Sequence, residues 1–170
     1  MEAMNRDGLL ALYTYNAYAN HLVLDGLAQL SEDEFARDES SPSHSSIRGL
    51  LLHLLECEAW FLAICRGRTL EEPDLPTLAD IRRYQSDLLR EQQDFIGALT
   101  ETDLARELTI ELGSHPYHFP MWQLLVQAFV HSTHHRGELA ILLGQMGHPL
   151  PTLDIIIHFA KESGQEWPRK

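Results

Sequence analysis

The segment SIRGLLLHLLECEAWFLAICRG, residues 46–67, constrains the fold more than any other part of the chain. It reads as one helix over roughly 45–67, stopped at Gly67. At about 100° per residue, Leu50, Leu51, Leu52, Leu54, Leu55, Trp60, Phe61 and Leu62 leave almost no polar side. A helix with so little polar face either sits centrally in its domain or is covered by a second subunit.

Three further long helices are readable around it. The first covers roughly 5–30, with Leu9, Tyr13, Asn16, Ala17, Asn20, Leu24 and Leu27 on one stripe, and SEDEF supplies the turn after it. The Ser-rich ESSPSHSS leads into the apolar helix, and the proline-bearing EEPDLP forms a crossover out of it. Thr77 and Asp80 have the spacing of a helix cap. The helix they open runs to about Leu99, with Leu78, Ile81, Tyr84, Leu88, Phe95 and Leu99 inward. Residues 105–119 alternate around Gly113-Ser114, the pattern of a short β-hairpin. Pro120 suits the first turn of a fourth long helix, which extends to about Gln145 before Gly147. A short C-terminal helix starts near Pro151 or Thr152. No internal repeat interrupts this order. The expected fold is all-α: one four-helix-bundle domain over 1–170, with a long crossover between long helices two and three.

The formal charge of −12 disfavours nucleic acid and anionic membrane partners. No stretch reaches the roughly 20 apolar residues of a membrane span, and MEAMNRDGLL lacks the features of a secretory signal. Cys57 and Cys65, two helical turns apart at about 12 Å along the axis, are too distant for a disulfide. A soluble, reduced, cytoplasmic protein is the expectation.

Ten histidines stand in this chain, and helical phase separates the three in HSTHHRGEL. His131 and His135 fall on the core stripe of the fourth helix with Leu124, Ala128, Leu139 and Leu142. His134 falls on the polar flank beside Gln127, Glu138 and Gln145. Inward histidines at i and i+4 can offer two imidazoles to one metal ion. Ser132 follows His131, so the glutamate of the zinc-protease helix motif is missing. On the apolar helix His53 shares a face with Leu50, Cys57, Trp60 and Ile64, where an unpartnered imidazole is costly to desolvate. His53, His131 and His135 are therefore the candidate ligands. Cys57, one turn after His53, is a possible fourth ligand, a pocket residue or an ordinary core cysteine. Asn16 and Asn20 on an inward stripe can contact substrate, orient a ligand histidine or tie helices together. Glu56 and Glu58 lie on opposite sides of the apolar helix, and one of them can face a cavity. His21, His44, His115, His118 and His148 read as surface residues.

These segments resemble the DinB/YfiT-like superfamily, the damage-inducible DinB family. LYTYNAYANHLVLDGLAQLSEDEF carries a YN-x-x-AN pattern at Tyr15–Asn20 like the family's opening helix, and SIRGLLLHLLECEAWFL resembles its second. HSTHHRGELAILLGQMGHPLPTLD resembles its most recognisable segment, and the motifs follow in the same order over nearly the whole chain. The resemblance implies a four-helix bundle with a long crossover and a mononuclear divalent metal, zinc or nickel, on three histidines. Carried over by position, those are His53, His131 and His135. It also implies a homodimer. Gln127 and His158 depart from the family's usual His and Tyr without touching the ligand positions.

Relatives in this family include S-transferases and isomerases that use a low-molecular-weight thiol, and others described as hydrolases. The implied function is thus a metal-dependent transferase acting on a small molecule with a thiol cosubstrate, with Tyr13, Asn16 and Asn20 positioning it. A metal-dependent hydrolase and a non-catalytic, stress-induced metal-binding dimer are the alternatives. Three protein ligands favour an open coordination position, because structural zinc sites usually take four.

Overall fold

The computed structural model describes residues 4–36 and 46–167. His44 and most of ESSPSHSS lie outside the described residues. The element order is α1 (Arg6–Leu27), α2 (Glu32–Ala36), α3 (Ile47–Arg66), α4 (Leu78–Ala98), α5 (Glu101–Ala105), β1 (Glu107–Leu112), β2 (His115–Pro120), α6 (Met121–Gln145) and α7 (Ile155–Glu162). The four long helices α1, α3, α4 and α6 form the bundle, as the hydrophobic periodicity requires.

Local chemistry sets the helix ends. The side chains of Asn5 and Ser46 accept from the backbone N–H of Gly8 and Gly49, capping α1 and α3. Thr77 and Asp80 close a reciprocal capping box on α4. Gly67 ends α3 at φ 66°, a left-handed conformation in which a Cβ would be strained. Gly147, at φ 86°, does the same after α6.

The crossover fixes the direction of α4. The Arg48 guanidinium, at the start of α3, donates to the Leu75 carbonyl at 2.8 Å. The chain therefore leaves the C-terminus of α3 and returns to its N-terminus before α4 begins. A 20-residue helix is about 30 Å long, and residues 67–75 reach about that far when extended. So α3 and α4 run parallel, which the Arg66–Glu91 ion pair near their other ends bears out. α1 runs against them: Tyr13 donates to the Leu89 carbonyl, and Arg82 meets Asp25. α3 and α6 form the main antiparallel pair, with Ile47 and Leu50 beside Leu139 and Leu143, and Phe61 and Cys65 beside Leu124 and Leu125. The over-apolar α3 is thus a central helix of this chain.

The hairpin pairs Glu107 with Pro120 through Leu112 with His115, and buries Ile110 in the apolar cluster around Leu9, Met121 and Leu124. The Met121 N–H donates to the Arg106 carbonyl, fixing the hairpin base to the start of α6.

Several boundaries differ from the sequence reading. SEDEF forms the one-turn helix α2 rather than a plain turn, because Ser31 and Glu34 cap each other. The same device at Thr100 and Asp103 makes α5. α7 begins at Ile155 rather than near Pro151, with the extended Asp154 at its N-cap. The inward face of α4 runs through Ile81, Gln85, Leu88, Gln92 and Ile96, leaving Tyr84 and Phe95 half-buried. An apolar count alone passes over the two glutamines.

Gln92 belongs to a polar layer between the two main apolar clusters. Glu58 on α3 is 0% exposed. Its Oε1 accepts from Asn16 Nδ2 at 2.9 Å, Asn20 Nδ2 at 3.0 Å and Ser132 Oγ at 2.6 Å. Its Oε2 accepts from Gln92 Nε2 at 3.0 Å. One carboxylate thereby joins α3 to α1, α4 and α6. On the far side of the asparagines, the Arg136 guanidinium donates to Asn16 Oδ1 and Asn20 Oδ1, each at 2.6 Å. The amides thus turn their NH₂ ends to the anion and their carbonyls to the cation. Removing one of these two buried charges, which the asparagine amides link, strands the other. Glu58→Ala is expected to cost about 3–5 kcal/mol, read as a lower midpoint in urea denaturation of the metal-free protein.

Candidate metal centre

α3 and α6 cross where three histidines meet. One ring nitrogen from each of His53, His131 and His135 lies within 4.8 Å of the others. His131 and His135 are one turn apart on α6, and their Nε2 atoms are 3.1 Å apart. The His53 ring centroid is 5.0 Å from that of His131 and 4.8 Å from that of His135. His135 is buried, while His53 and His131 are half-buried, so the group opens toward the surface.

The helical phase of α6 is held by its neighbours. Ser132 is bonded to Glu58 and Arg136 to both asparagines. With those residues turned into the polar layer, His131 and His135 face α3.

The donor set fits a divalent transition metal. Burial, then the neighbouring imidazoles of His131 and His53, push the His135 pKa down to about 4, although Glu138 acts in the opposite direction. At neutral pH that ring is uncharged, the form that a metal takes. Two nitrogens bound at 2.0–2.1 Å in a tetrahedral site lie about 3.3 Å apart, close to the separation present. A metal-free pair can equally share one hydrogen bond if one Nε2 carries the proton.

Cys57 lies outside that cluster of three. Its Sγ is 3.7 Å from His53 Nε2 and 3.8 Å from Nδ1. Burial, with Glu56 and Glu58 adding to it, pushes the thiol up to about 11. It is therefore protonated at neutral pH in the metal-free chain. Tyr13, Asn16 and Asn20 are drawn into contacts between helices: Tyr13 to Leu89, and the two amides to Glu58 and Arg136. Glu56 is half-buried, whereas Glu58 is the acidic residue turned inward.

His21, His115 and His118 are exposed and His148 half-buried. His158 is buried on α7 against the rings of Tyr15 and Tyr18, apart from the three histidines. Sequence reasoning gave no role to Arg136, which follows the inward His135 directly; two polar residues on the α1 stripe were the signal that a buried charge pair was near. Glu138, placed on the flank with His134, reaches back to His135, with Oε1 3.4 Å from Nδ1.

The DinB family model matches residues 4–166, nearly the whole chain. The chain belongs to the DinB family. Among solved structures, the DinB chain is similar to a DinB-like protein from Bacillus subtilis, with TM-score 0.63 and 21% identity. That similarity covers 84% of this chain and 97% of the other. A DinB-like protein from Bacillus cereus gives TM-score 0.62 at 21% identity, covering 86% and 95%. At this identity the likeness establishes the fold. No curated protein matches the chain.

The neutral state of His135 carries a pH dependence. Its folded pKa of about 4 lies below the ordinary 6.5, so its stabilising contribution is complete above pH 6.5 and is lost as pH falls toward about 4. Metal-free protein is expected to lose up to about 3 kcal/mol over that window from this group. In His135→Asn, thermal melts across the window should give a flatter profile.

Proposed function

We propose that this DinB protein is a metal-dependent enzyme in which His53, His131 and His135 hold one divalent ion, zinc or nickel. The proposed reaction is transfer of a low-molecular-weight thiol to a small electrophile. The observation that carries the reading is the convergence of three imidazoles from two helices at a half-open position.

When bound, such an ion supplies a Lewis acid with an open position, at which a thiol loses its proton. The protein's own part is to present neutral nitrogens and to hold them still. His135 is kept uncharged by burial and by its neighbouring imidazoles, and α6 is locked in phase through Ser132 and Arg136. Glu58 is fully buried and accepts four hydrogen bonds, which removes it as a base for activating water. A thiol cosubstrate would need no such base, since the ion would supply the acidity. In this reading the nucleophile is the cosubstrate thiol and not Cys57, whose Sγ lies outside the three-histidine cluster.

No described helix is long and apolar enough to cross a membrane. With the net charge of −12, this supports a cytoplasmic protein acting on a small molecule, without nucleic acid or membrane as partner. The exposed Val130 and Ile141 on α6 are compatible with a homodimer.

Protein purified without nickel chromatography is expected to carry about one divalent ion per chain, and His53→Ala with His131→Ala to carry essentially none. Equal metal in both removes the site. With metal present, turnover should appear in a panel of small thiols and electrophiles. Hydrolysis without thiol would indicate a hydrolase, and metal without any turnover a non-catalytic dimer. Cys57→Ala should keep its metal; loss would mean a closed four-ligand site.

A further inference from the structure

We propose that a cleft between α1, α6 and the start of α7 binds a small apolar carboxylic acid, whose carboxylate takes the unfilled edge of the Arg136 guanidinium. The site is separate from the metal centre. At about 100° per residue, Thr133, Gly137 and Ala140 in its wall stand on the side of α6 turned away from His131 and His135.

The cleft has a volume of about 520 Å³, within the range of small-molecule sites. Much of its wall is apolar, with Ala140 from α6 and Leu150, Pro151, Leu153 and Ile155 from the chain that enters α7. Arg136 and Tyr15 line it as well. The Tyr15 ring lies 5.5 Å from the guanidinium carbon. Its hydroxyl, beside the guanidinium, donates to the Leu153 carbonyl at 2.7 Å and so ties that wall to α1.

Arg136 is 1% exposed, and its donors are used unequally. Nη1 donates to Asn16 and Asn20, and Nη2 to Thr133. The buried Nε has no hydrogen-bond partner. Nε–H and one N–H of Nη2 share one edge of the planar group, the edge that matches both oxygens of a carboxylate. Nη1 is turned to the asparagines, while Thr133, the partner of Nη2, stands in the cleft wall. The unfilled edge therefore faces the cleft. A charged donor left buried without a partner costs more than an ordinary hydrogen bond contributes, so this edge calls for an acceptor. Glu58 does not supply it, because the two asparagine amides stand between them.

α7 adds to the same preference. Its N-terminus borders the cleft through Asp154 and Ile155, and Asp154 at the N-cap makes no side-chain cap hydrogen bond. The first N–H groups of α7 thus carry a partial positive charge that a ligand oxygen can use. The exposed Asp154 carboxylate opposes an anion from the rim. The cation selects the head of the ligand and the apolar wall its body. Because the acid takes only the edge that Asn16 and Asn20 leave, the polar layer stays intact.

The test is a titration of ¹⁵N-labelled protein with hexanoate, read on the Arg136 Nε–H signal. A saturable shift is expected, and hexanamide, of the same size without the charge, should bind at least about 10-fold more weakly. A Cβ added at Gly137 meets nothing within 4 Å, so Gly137→Phe can fill the cleft without displacing the frame. It should abolish the shift with no drop in melting temperature. Asp154→Asn should tighten binding, by up to about 5-fold. His53→Ala with His131→Ala should bind hexanoate as the wild type does, which separates this site from carboxylate ligation at the metal position. An Arg136 signal that hexanoate leaves unmoved overturns the proposal, and so does equal affinity for hexanamide. Binding that survives Gly137→Phe, or that disappears with the two histidines, overturns it too. None of these outcomes depends on whether the histidines hold metal.

Discussion

A single buried carboxylate, Glu58, organises the bundle. Apolar packing alone would let four helices slide and rotate against one another at modest cost, because hydrophobic contact has little directionality. Glu58 removes that freedom. Its two oxygens accept donors from α1, α4 and α6 at 2.6–3.0 Å, and each bond fixes the register and rotation of the helix that supplies it. Arg136 closes the charge balance through the two asparagine amides, without touching the carboxylate. A buried ion pair is weak evidence for stability. Here it sets geometry: the two main apolar clusters supply the driving force and the polar layer supplies the alignment.

The histidine centre inherits that alignment. HSTHHRGEL interleaves two sets of residues on α6. Ser132 and Arg136 belong to the polar layer, and the exposed Thr133 accepts from Arg136 at 2.8 Å. His131 and His135 belong to the face of the candidate metal centre. Because successive helical residues are separated by a fixed angle, locking the first set determines where the second points. Imidazoles from α3 and α6 must meet to within a few tenths of an ångström to share an ion, and the carboxylate four residues before Leu62 provides part of that accuracy.

Much of this was legible in the sequence. Residues 46–67 announce a central helix by having no polar side. The i, i+4 spacing of His131 and His135 survives any small error in helix boundaries, since only their relative phase matters. His53 could be matched to them because both helices were long and strongly periodic. The hairpin followed from Gly113-Ser114 and alternation. Less legible were features that depend on tertiary partners. Gln92 looks like a surface residue until a buried carboxylate makes it useful. Arg136 looks solvated until two inward asparagines are recognised as the bridge between opposite charges. The short helices α2 and α5 are single turns, where a capping pair outweighs the absence of a periodic signal.

The placement of Asn16 and Asn20 bears on how this chain can be reactive. Inward asparagines near a candidate centre invite a substrate-binding role, yet both ends of each amide already contact Glu58 or Arg136. Recruiting either for substrate would expose one of two buried charges, a penalty far above the net value of an ordinary hydrogen bond. Recognition of a small molecule is therefore better sought on the open side of the histidine group, where His53 and His131 are half-buried, than in the interior. The interior polar layer is the frame.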